Sequence, residues 1–206
     1  MPLYCATTNP GKLREFIEIV GDVQVMPGLE DIPAPEETGS TFEQNAADKA
    51  VYYSRFCEGS VFVDDSGLEV DVLGGAPGIY SARFAGPDAT DEANNRLVLD
   101  KMRGATNRRA RFVCVVALAS RGELIQAFRG EVEGELLHEV RGSNGFGYDP
   151  LFYCPPLDRS FGEVSGEQKM QVSHRARALR AMKSFIAEAD QRVESGGSAG
   201  GHGTRE

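Results

Sequence analysis

The chain lacks any long hydrophobic run. No apolar segment approaches the ~20 residues that are needed to span a bilayer, and the first residues show no basic stretch followed by an apolar one. The 206 residues are 41% hydrophobic and 26% charged, which is typical of a soluble globular protein. We therefore expect a cytoplasmic protein that functions without a membrane.

Cysteines are few and scattered. Cys5, Cys57, Cys114 and Cys154 show no CxxC spacing, and two of them lie within apolar, strand-like runs. Such positions favour buried free thiols over disulfides or a zinc site.

Basic residues are in the minority. Lysine and arginine number 22 against 31 acidic residues, which gives a formal net charge of −9. Proteins that coat duplex nucleic acid need a basic surface, so we expect no nucleic-acid partner. A phosphate-bearing partner would have to be small, with its charge neutralised locally by a few cations or a metal ion.

The chain opens with the pattern of a strand, a turn and a helix. Leu3 to Thr7 is a short apolar segment, Asn9 is a candidate N-cap and Pro10 fits the first helical position. Leu13, Phe16, Ile17 and Val20 then follow at helical spacing.

A loop rich in proline, glutamate and glycine precedes a second predicted helix. Two capping boxes are available, Ser40 with Glu43 or Thr41 with Gln44. The helix is expected to continue to about Phe56.

Further along, Thr90 begins a predicted helix that stops at Gly104. Residues 111–120 and 123–133 are expected to form a hairpin through the turn Arg121-Gly122. The alternation of helices with partly hairpin-linked strands indicates an α/β protein with a mixed sheet.

The last helix has the clearest periodicity, from about Ser173 to Glu194. Because residues 195–206 are glycine, serine and polar residues only, we predict one domain over residues 1–194 and a flexible tail over 195–206.

Two adjacent carboxylates follow a short apolar run. Val61 to Val63 predicts a buried strand, and Asp64 and Asp65 come where this strand is expected to enter a turn at Ser66-Gly67. Leu68 to Val72 then alternates like a half-exposed strand. Acidic residues at a strand end favour a metal or phosphate site, although a solvated turn is an equally simple interpretation.

The segment Thr7 to Lys12 lies between the first strand and the first helix. Backbone N–H groups and the helix dipole favour an anion there. The segment is not a P-loop, since Ala6 replaces the first glycine and Leu13 replaces the magnesium-binding hydroxyl. A capping asparagine beside a solvated lysine is the alternative.

Three other segments carry candidate binding residues. Residues 144–150 alternate glycines with two aromatics, which would suit the stacking of a base, or a turn with core aromatics. Lys169 and the Ser173-His174-Arg175 run lie near the start of the last helix, as an anion site or a solvated basic face. Glu36 and Glu37 are loop charges or magnesium ligands.

Six motifs, in this order, resemble the inosine triphosphate pyrophosphatase family. The resemblance covers about residues 3–190 and implies hydrolysis of ITP, dITP and XTP to the monophosphate and pyrophosphate. The motifs are Thr7-Thr8-Asn9-Pro10-Gly11-Lys12, Glu36-Glu37-Thr38-Gly39, Asp64-Asp65-Ser66-Gly67-Leu68, Gly74-Gly75-Ala76-Pro77-Gly78, Phe146-Gly147-Tyr148-Asp149 and Ser173-His174-Arg175.

The resemblance also implies an elongated mixed sheet flanked by helices in two lobes, with the active site in the cleft between them, and a homodimer. Glu36 and Asp65 would bind Mg2+, and Asp65 would be the general base, with Asp64 supporting it. The residues implied to bind substrate are Thr7, Thr8, Asn9, Pro10, Gly11, Lys12, Lys49, Ser66, Phe146, Gly147, Tyr148, Asp149, Lys169, His174 and Arg175.

Three alternatives to this function differ in their expected motifs. A Maf-like pyrophosphatase of other base preference is disfavoured by the Phe-Gly-Tyr-Asp and Ser-His-Arg segments. A haloacid-dehalogenase phosphatase requires Asp-x-Asp after the strand, whereas this chain has Asp-Asp-Ser. A non-catalytic nucleotide sensor would use the same pocket without turnover.

Overall fold

The computed structural model describes residues 2–196, and the predicted tail from 197 onward lies outside the described residues. Within these residues seven strands form one sheet, in the order β2-β1-β3-β4-β5-β6-β7. The strands are β1 (Leu3–Cys5), β2 (Gln24–Val25), β3 (Ser60–Val70), β4 (Arg109–Ser120), β5 (Glu123–Leu136), β6 (Phe152–Cys154) and β7 (Arg159–Ser160).

Five α-helices flank this sheet within the described residues. They are α1 (Pro10–Val20), α2 (Phe42–Tyr53), α3 (Asp91–Lys101), α4 (Gly166–Val172) and α5 (His174–Gly196). The expected α/β class with a mixed sheet is confirmed, because β1 pairs in parallel with β2 and β3 while all other pairs are antiparallel.

The helix caps follow the sequence. The Asn9 side chain accepts hydrogen bonds from the N–H groups of Gly11 and Lys12, and Thr41 caps α2 by accepting from Gln44 N–H. α2 ends at Tyr53, before the expected Phe56.

The C-terminal helix is longer than expected. It continues to Gly196, two residues past the predicted end of the helix at Glu194. A separate short helix, α4, precedes it, with a capping box between Ser165 and Gln168 that the sequence analysis did not identify.

The strand that carries Asp64 and Asp65 differs from the prediction. We expected it to end at Val63 in a turn, yet β3 continues through both aspartates to Val70. The long partner strand explains this, since β4 pairs with every residue of β3 in register, and this pairing outweighs the local turn preference of Ser66-Gly67. Residues 71–73 then form a 3-10 helix rather than a strand.

The neighbour on the other side of β3 is short. β1 pairs with it only as far as Phe62, and the segment that follows Gly67 is covered by Ser81, whose hydroxyl accepts a hydrogen bond from Leu68 N–H. The backbone from Asp64 to Gly67 therefore forms an open edge of the sheet. Both faces of β3 can reach the same cleft at this edge.

Buried side chains within residues 2–196 gather in three clusters. One packs α2 on one face of the sheet around Val61, Val63 and Val115, and a second packs α1 and α5 on the other face around Phe62 and Leu118. The third joins α3 to the far ends of β3, β4 and β5. Phe112 and Tyr148 of the third cluster line the main cavity.

Candidate active site

Asp64 is the centre of a buried charge cluster. Its side chain is 2% exposed, and its carboxylate lies 2.9 Å from Lys12 Nζ and 3.1 Å from Arg175 Nε. The Ser66 hydroxyl donates to the same carboxylate at 3.0 Å. Burial alone would raise the pKa of Asp64, but Lys12 and Arg175 outweigh burial and hold this pKa far below its usual range. Asp64 is therefore a charged residue that holds the Lys12 and Arg175 side chains in place.

Asp65 lies in a different environment. Its carboxylate contacts Lys49 Nζ at 2.9 Å and Asn45 Nδ2 at 3.3 Å, both from α2. Burial raises the pKa of Asp65 above its ordinary value, against the opposing charge of Lys49. A carboxylate with a raised pKa accepts protons more readily than an ordinary one, as a general base must.

Lys49 also contacts Glu37, at 2.7 Å. Glu37 lies in the loop before α2, and its second carboxylate oxygen accepts from Arg83 at 2.8 Å. Glu36, the residue that the sequence analysis assigned to the metal, is exposed. The carboxylate that the loop directs toward Asp65 is thus that of Glu37.

The segment Thr7 to Lys12 forms a tight turn into α1. Asn9 N–H donates to the Thr7 hydroxyl at 3.2 Å, while the Asn9 side chain occupies the first N–H groups of the helix. Thr8 and Pro10 are exposed. Lys12 is not the solvated lysine of the alternative interpretation, because it is paired with Asp64.

A second charge cluster lies beside the first. Glu15 accepts hydrogen bonds from Lys169 at 2.8 Å and from Arg175 at 2.5 Å, and Lys169 also contacts Asp149 at 2.7 Å. Burial would lower the pKa of Lys169, but Asp149 and Glu15 raise it, so that Lys169 stays protonated. Residues from α1, α4, α5 and the loop before β6 are joined in this way.

The aromatic ring of Phe146 covers these cations. Lys169 Nζ lies 4.9 Å and Arg175 Cζ 5.5 Å from its centroid, as in cation–π contacts. A Cβ on Gly11 would lie 2.7 Å from the same ring. The ring therefore rests on the first turn of α1 and closes the cleft from one side.

His174 begins α5 and stacks on Phe112, with ring centroids 4.7 Å apart and planes 10° apart. Burial, together with the charges of Arg175 and Lys169, lowers the pKa of His174 well below 6.5, so that the ring is neutral. Its Nδ1 atom is buried and has no hydrogen-bond partner among the described residues.

One cavity connects most of the predicted residues. The expected residues that do not line it are Thr7, Thr8, Pro10, Gly11, Lys49, Asp65 and Glu36. The expected residues that line it are Asn9, Lys12, Ser66, Phe146, Gly147, Tyr148, Asp149, Lys169, His174 and Arg175. Lys49 and Asp65 pair on the other face of β3, and Asp65 directly precedes Ser66 and Gly67, which line the cavity.

The family model described as the Ham1 family matches residues 3–185. The chain belongs to the Ham1 family. Related sequences include a dITP/XTP pyrophosphatase from an Exiguobacterium species, 47% identical over 190 residues, which cover 90% of this chain and 97% of that protein. A dITP/XTP pyrophosphatase from Staphylococcus aureus is 45% identical over 190 residues, with 91% and 97% covered.

Solved Ham1 structures share the fold. The Staphylococcus aureus Ham1 protein matches with a TM-score of 0.82 and 42% identity, over 92% of this chain and 100% of that one. A HAM1 protein from Coxiella burnetii matches with a TM-score of 0.83 and 37% identity, over 91% and 99%. The resemblance to the inosine triphosphate pyrophosphatase family is thereby confirmed.

Several residues of this Ham1 protein's cleft were missed by sequence reasoning. Asp91 accepts from Gly147 N–H at 2.6 Å, and Asn95 donates to Gly147 O at 2.8 Å, so α3 holds the aromatic loop. Tyr148 is held by Ser81, whose carbonyl accepts its hydroxyl at 2.7 Å. Among these residues only Glu15 could have been found from the sequence, because it lies about one turn after Lys12 on the same predicted helix. The remaining missed residues are Asn45, Arg83, Asn94 and Phe112.

Proposed function

We propose that this Ham1 protein hydrolyses the non-standard purine nucleoside triphosphates ITP, dITP and XTP to the nucleoside monophosphate and pyrophosphate. The observation that carries this proposal is that a buried carboxylate, Asp65, directly precedes Ser66 in β3, and that Ser66 lines a cavity together with the cations Lys12, Lys169 and Arg175. The named activity of the Exiguobacterium and Staphylococcus relatives supports it.

Magnesium fits the oxygen donors of this site. Glu37 and Asp65 both lie within 3 Å of the same cation, Lys49 Nζ, so their carboxylates face one position where a cation already lies. Within residues 2–196 no group of three or more His, Cys, Asp or Glu side chains is placed to hold a metal. Magnesium would then take its other ligands from water and substrate phosphates, as it commonly does.

We assign the metal ligands to Glu37 and Asp65, with Glu37 in place of the initially expected Glu36. When bound, the ion would neutralise phosphate charge and acidify a bound water. Lys49 would move from the carboxylates to the phosphates, as the resemblance implies for a substrate-binding lysine.

The chain's own residues then supply positioning and proton transfer. Asp65 takes a proton from a water molecule while the water oxygen attacks the α-phosphorus. The bond between the α-phosphorus and the oxygen that bridges it to the β-phosphorus breaks, and pyrophosphate leaves with that oxygen. Lys12 stabilises the charge that develops on the phosphate oxygens. Asp64 keeps Lys12, Ser66 and Arg175 in place.

The base would lie against Phe146, with His174 at its edge. The 6-oxo group of hypoxanthine or xanthine accepts a hydrogen bond, whereas adenine presents an amino group there. A pocket that donates a hydrogen bond at this position would leave its donor without an acceptor when adenine is bound. His174 has a buried nitrogen without a partner, whereas Arg175 already uses Nε, Nη1 and Nη2 on Asp64, Glu15 and Ser66. We therefore assign the donor to His174 and a fixed cationic support to Arg175.

Pyrophosphate release from ITP, XTP, dITP, ATP, GTP and dTTP, with and without magnesium, tests this function. We expect magnesium-dependent release from the first three. Tight nucleotide binding without any pyrophosphate would identify a sensor instead, and a preference for dTTP would favour a Maf-like activity.

The site of action and the assembly are also proposals. No helix within the described residues is long and apolar enough to cross a membrane. The substrate is a small molecule of the nucleotide pool, so we propose a cytoplasmic enzyme, and by resemblance to its family a homodimer. Sedimentation of the purified protein at micromolar concentration would measure the assembly directly.

A further inference from the structure

Arg83 is the outermost member of a chain of ion pairs that begins at the catalytic carboxylate. Asp65 contacts Lys49, Lys49 contacts Glu37, and Glu37 contacts Arg83. Arg83 ends the 3-10 helix Gly78–Arg83, directly after Ser81 and Ala82, which line the cavity. Its guanidinium therefore stands at the rim of the proposed site.

The exposure of these cations differs. The Lys49 side chain is 16% exposed and held by two carboxylates, whereas the Arg83 side chain is 35% exposed and contacts Glu37 through Nη1 at 2.8 Å. The Tyr80 ring lies 5.5 Å from Arg83 Cζ and supports one face of the guanidinium. Arg83 can change partners at lower cost than Lys49, because less of it is enclosed.

The charges of this cluster balance before any ligand enters. Glu37 and Asp65 provide two carboxylates, and Lys49 and Arg83 provide two cations. A divalent ion on the carboxylates would leave the cluster with two positive charges in excess and would compete with Arg83 for Glu37. An anion with several phosphate oxygens beside the metal would restore the balance.

We propose that Arg83 is a binding residue for the pyrophosphate portion of the substrate, the β- and γ-phosphates. On metal binding Arg83 exchanges Glu37 for phosphate oxygens, which the planar guanidinium can contact in pairs. It stays with the pyrophosphate product until release. This inference rests on the proposed pyrophosphatase function and adds a residue that the sequence motifs did not include.

Calorimetry of Arg83→Gln with inorganic pyrophosphate in excess magnesium tests the proposal, with IMP and Mn2+ alone as further probes. We expect pyrophosphate affinity to fall about tenfold or more, IMP affinity to stay within about twofold, and Mn2+ affinity to stay equal or increase because a competitor for Glu37 is gone. Arg83→Lys keeps the charge and should lose less pyrophosphate affinity.

Arg111→Gln is the matched control. Arg111 lies outside the proposed site, where it pairs with Glu69 at 2.7 Å and its side chain is 40% exposed. The Arg111→Gln variant should bind pyrophosphate with the affinity of the wild type. Unchanged pyrophosphate affinity in Arg83→Gln overturns the proposal, as does a loss confined to Mn2+, which would mean that Arg83 only positions Glu37. If the wild type neither cleaves ITP nor binds pyrophosphate, the proposed function itself fails and this inference with it.

Discussion

Asp64 and Asp65 are neighbours in sequence, but their carboxylates lie on opposite faces of β3. Asp64 pairs with Lys12 and Arg175 from α1 and α5, and Asp65 pairs with Lys49 from α2. This follows from the alternation of side chains along a strand. The two carboxylates therefore have separate partners and separate consequences when they are changed.

Asp65→Asn should abolish catalysis without unfolding the protein. The amide cannot accept the proton of the attacking water, so we expect turnover to fall about 100-fold to 10,000-fold, while ITP binding without metal changes little. Single-turnover pyrophosphate release and equilibrium binding measure the two effects. Near-normal turnover would rule out Asp65 as the base.

Asp64→Asn should instead lower stability. Removing its charge leaves Lys12 and Arg175 without their shared partner, and breaking such a buried pair costs about 3 kcal/mol. Urea unfolding of Asp64→Asn and Asp65→Asn, measured side by side, provides the comparison. Equal stabilities in the two variants would contradict the roles assigned here.

Glu37→Gln and Glu36→Gln separate the two adjacent glutamates. Glu37 is half-buried between Lys49 and Arg83, whereas Glu36 is exposed. We expect Glu37→Gln to raise the magnesium concentration for half-maximal activity about tenfold or more, since one charged ligand is lost. Glu36→Gln should match the wild type, and the reverse result would restore Glu36 as the ligand.

The sequence could predict elements with local signals. The Asn9 cap, the Thr41 cap and the hairpin turn at Arg121-Gly122 depend on neighbouring residues, and the structure confirms them. The course of β3 depended on pairing with β4, which is distant in sequence. The proposed choice of Glu37 over Glu36 rests on the path of a loop without periodicity, and no local sequence pattern distinguishes the two residues.

His174→Ala should weaken the discrimination between ITP and ATP. A lost hydrogen bond to the 6-oxo group would reduce the ratio of kcat/KM for ITP over ATP about tenfold to 100-fold. The measurement is the ratio itself, since a general loss of activity would lower both values. A variant that kept the full preference would exclude His174 as the donor.

His174 also predicts a pH dependence of stability. Because burial lowers its folded pKa below 6.5, the unfolded chain binds a proton that the folded chain does not as pH falls below that value. As pH falls, this linkage lowers the free energy of unfolding by up to about 1.4 kcal/mol per pH unit until the folded pKa is reached. It contributes no pH dependence above about pH 7. His174→Phe removes the titration and keeps a ring against Phe112.

Urea unfolding at about pH 8 and about pH 5.5 measures this effect. We expect the loss of stability between these two values to be smaller in His174→Phe than in the wild type. Asp64 should not contribute, because its lowered pKa takes effect only as pH falls below about 4. An identical loss in both proteins would show that His174 is not the titrating group.

Gly67→Ala should disturb the edge of the cleft. A Cβ there would lie 2.4 Å from Gly78 O and 2.4 Å from Ser81 Oγ, and the first of these is backbone. We expect destabilisation of about 2 kcal/mol, at the level of other overpacked sites. Gly166→Ala, at the start of α4 with nothing within 4 Å, is the control and should leave the melting temperature nearly unchanged.

The contact between Glu15 and Arg175 joins residues 160 positions apart, and it has a consequence for protein synthesis. Glu15 and Asp64 leave the ribosome early, yet their partners Lys169 and Arg175 emerge only when α4 and α5 are made. A nascent chain truncated before residue 169 would carry the proposed base and metal ligands without the cations that organise the pocket. Nucleotide cleavage would then begin only on near-complete chains, so its appearance during translation would report the docking of the last two helices.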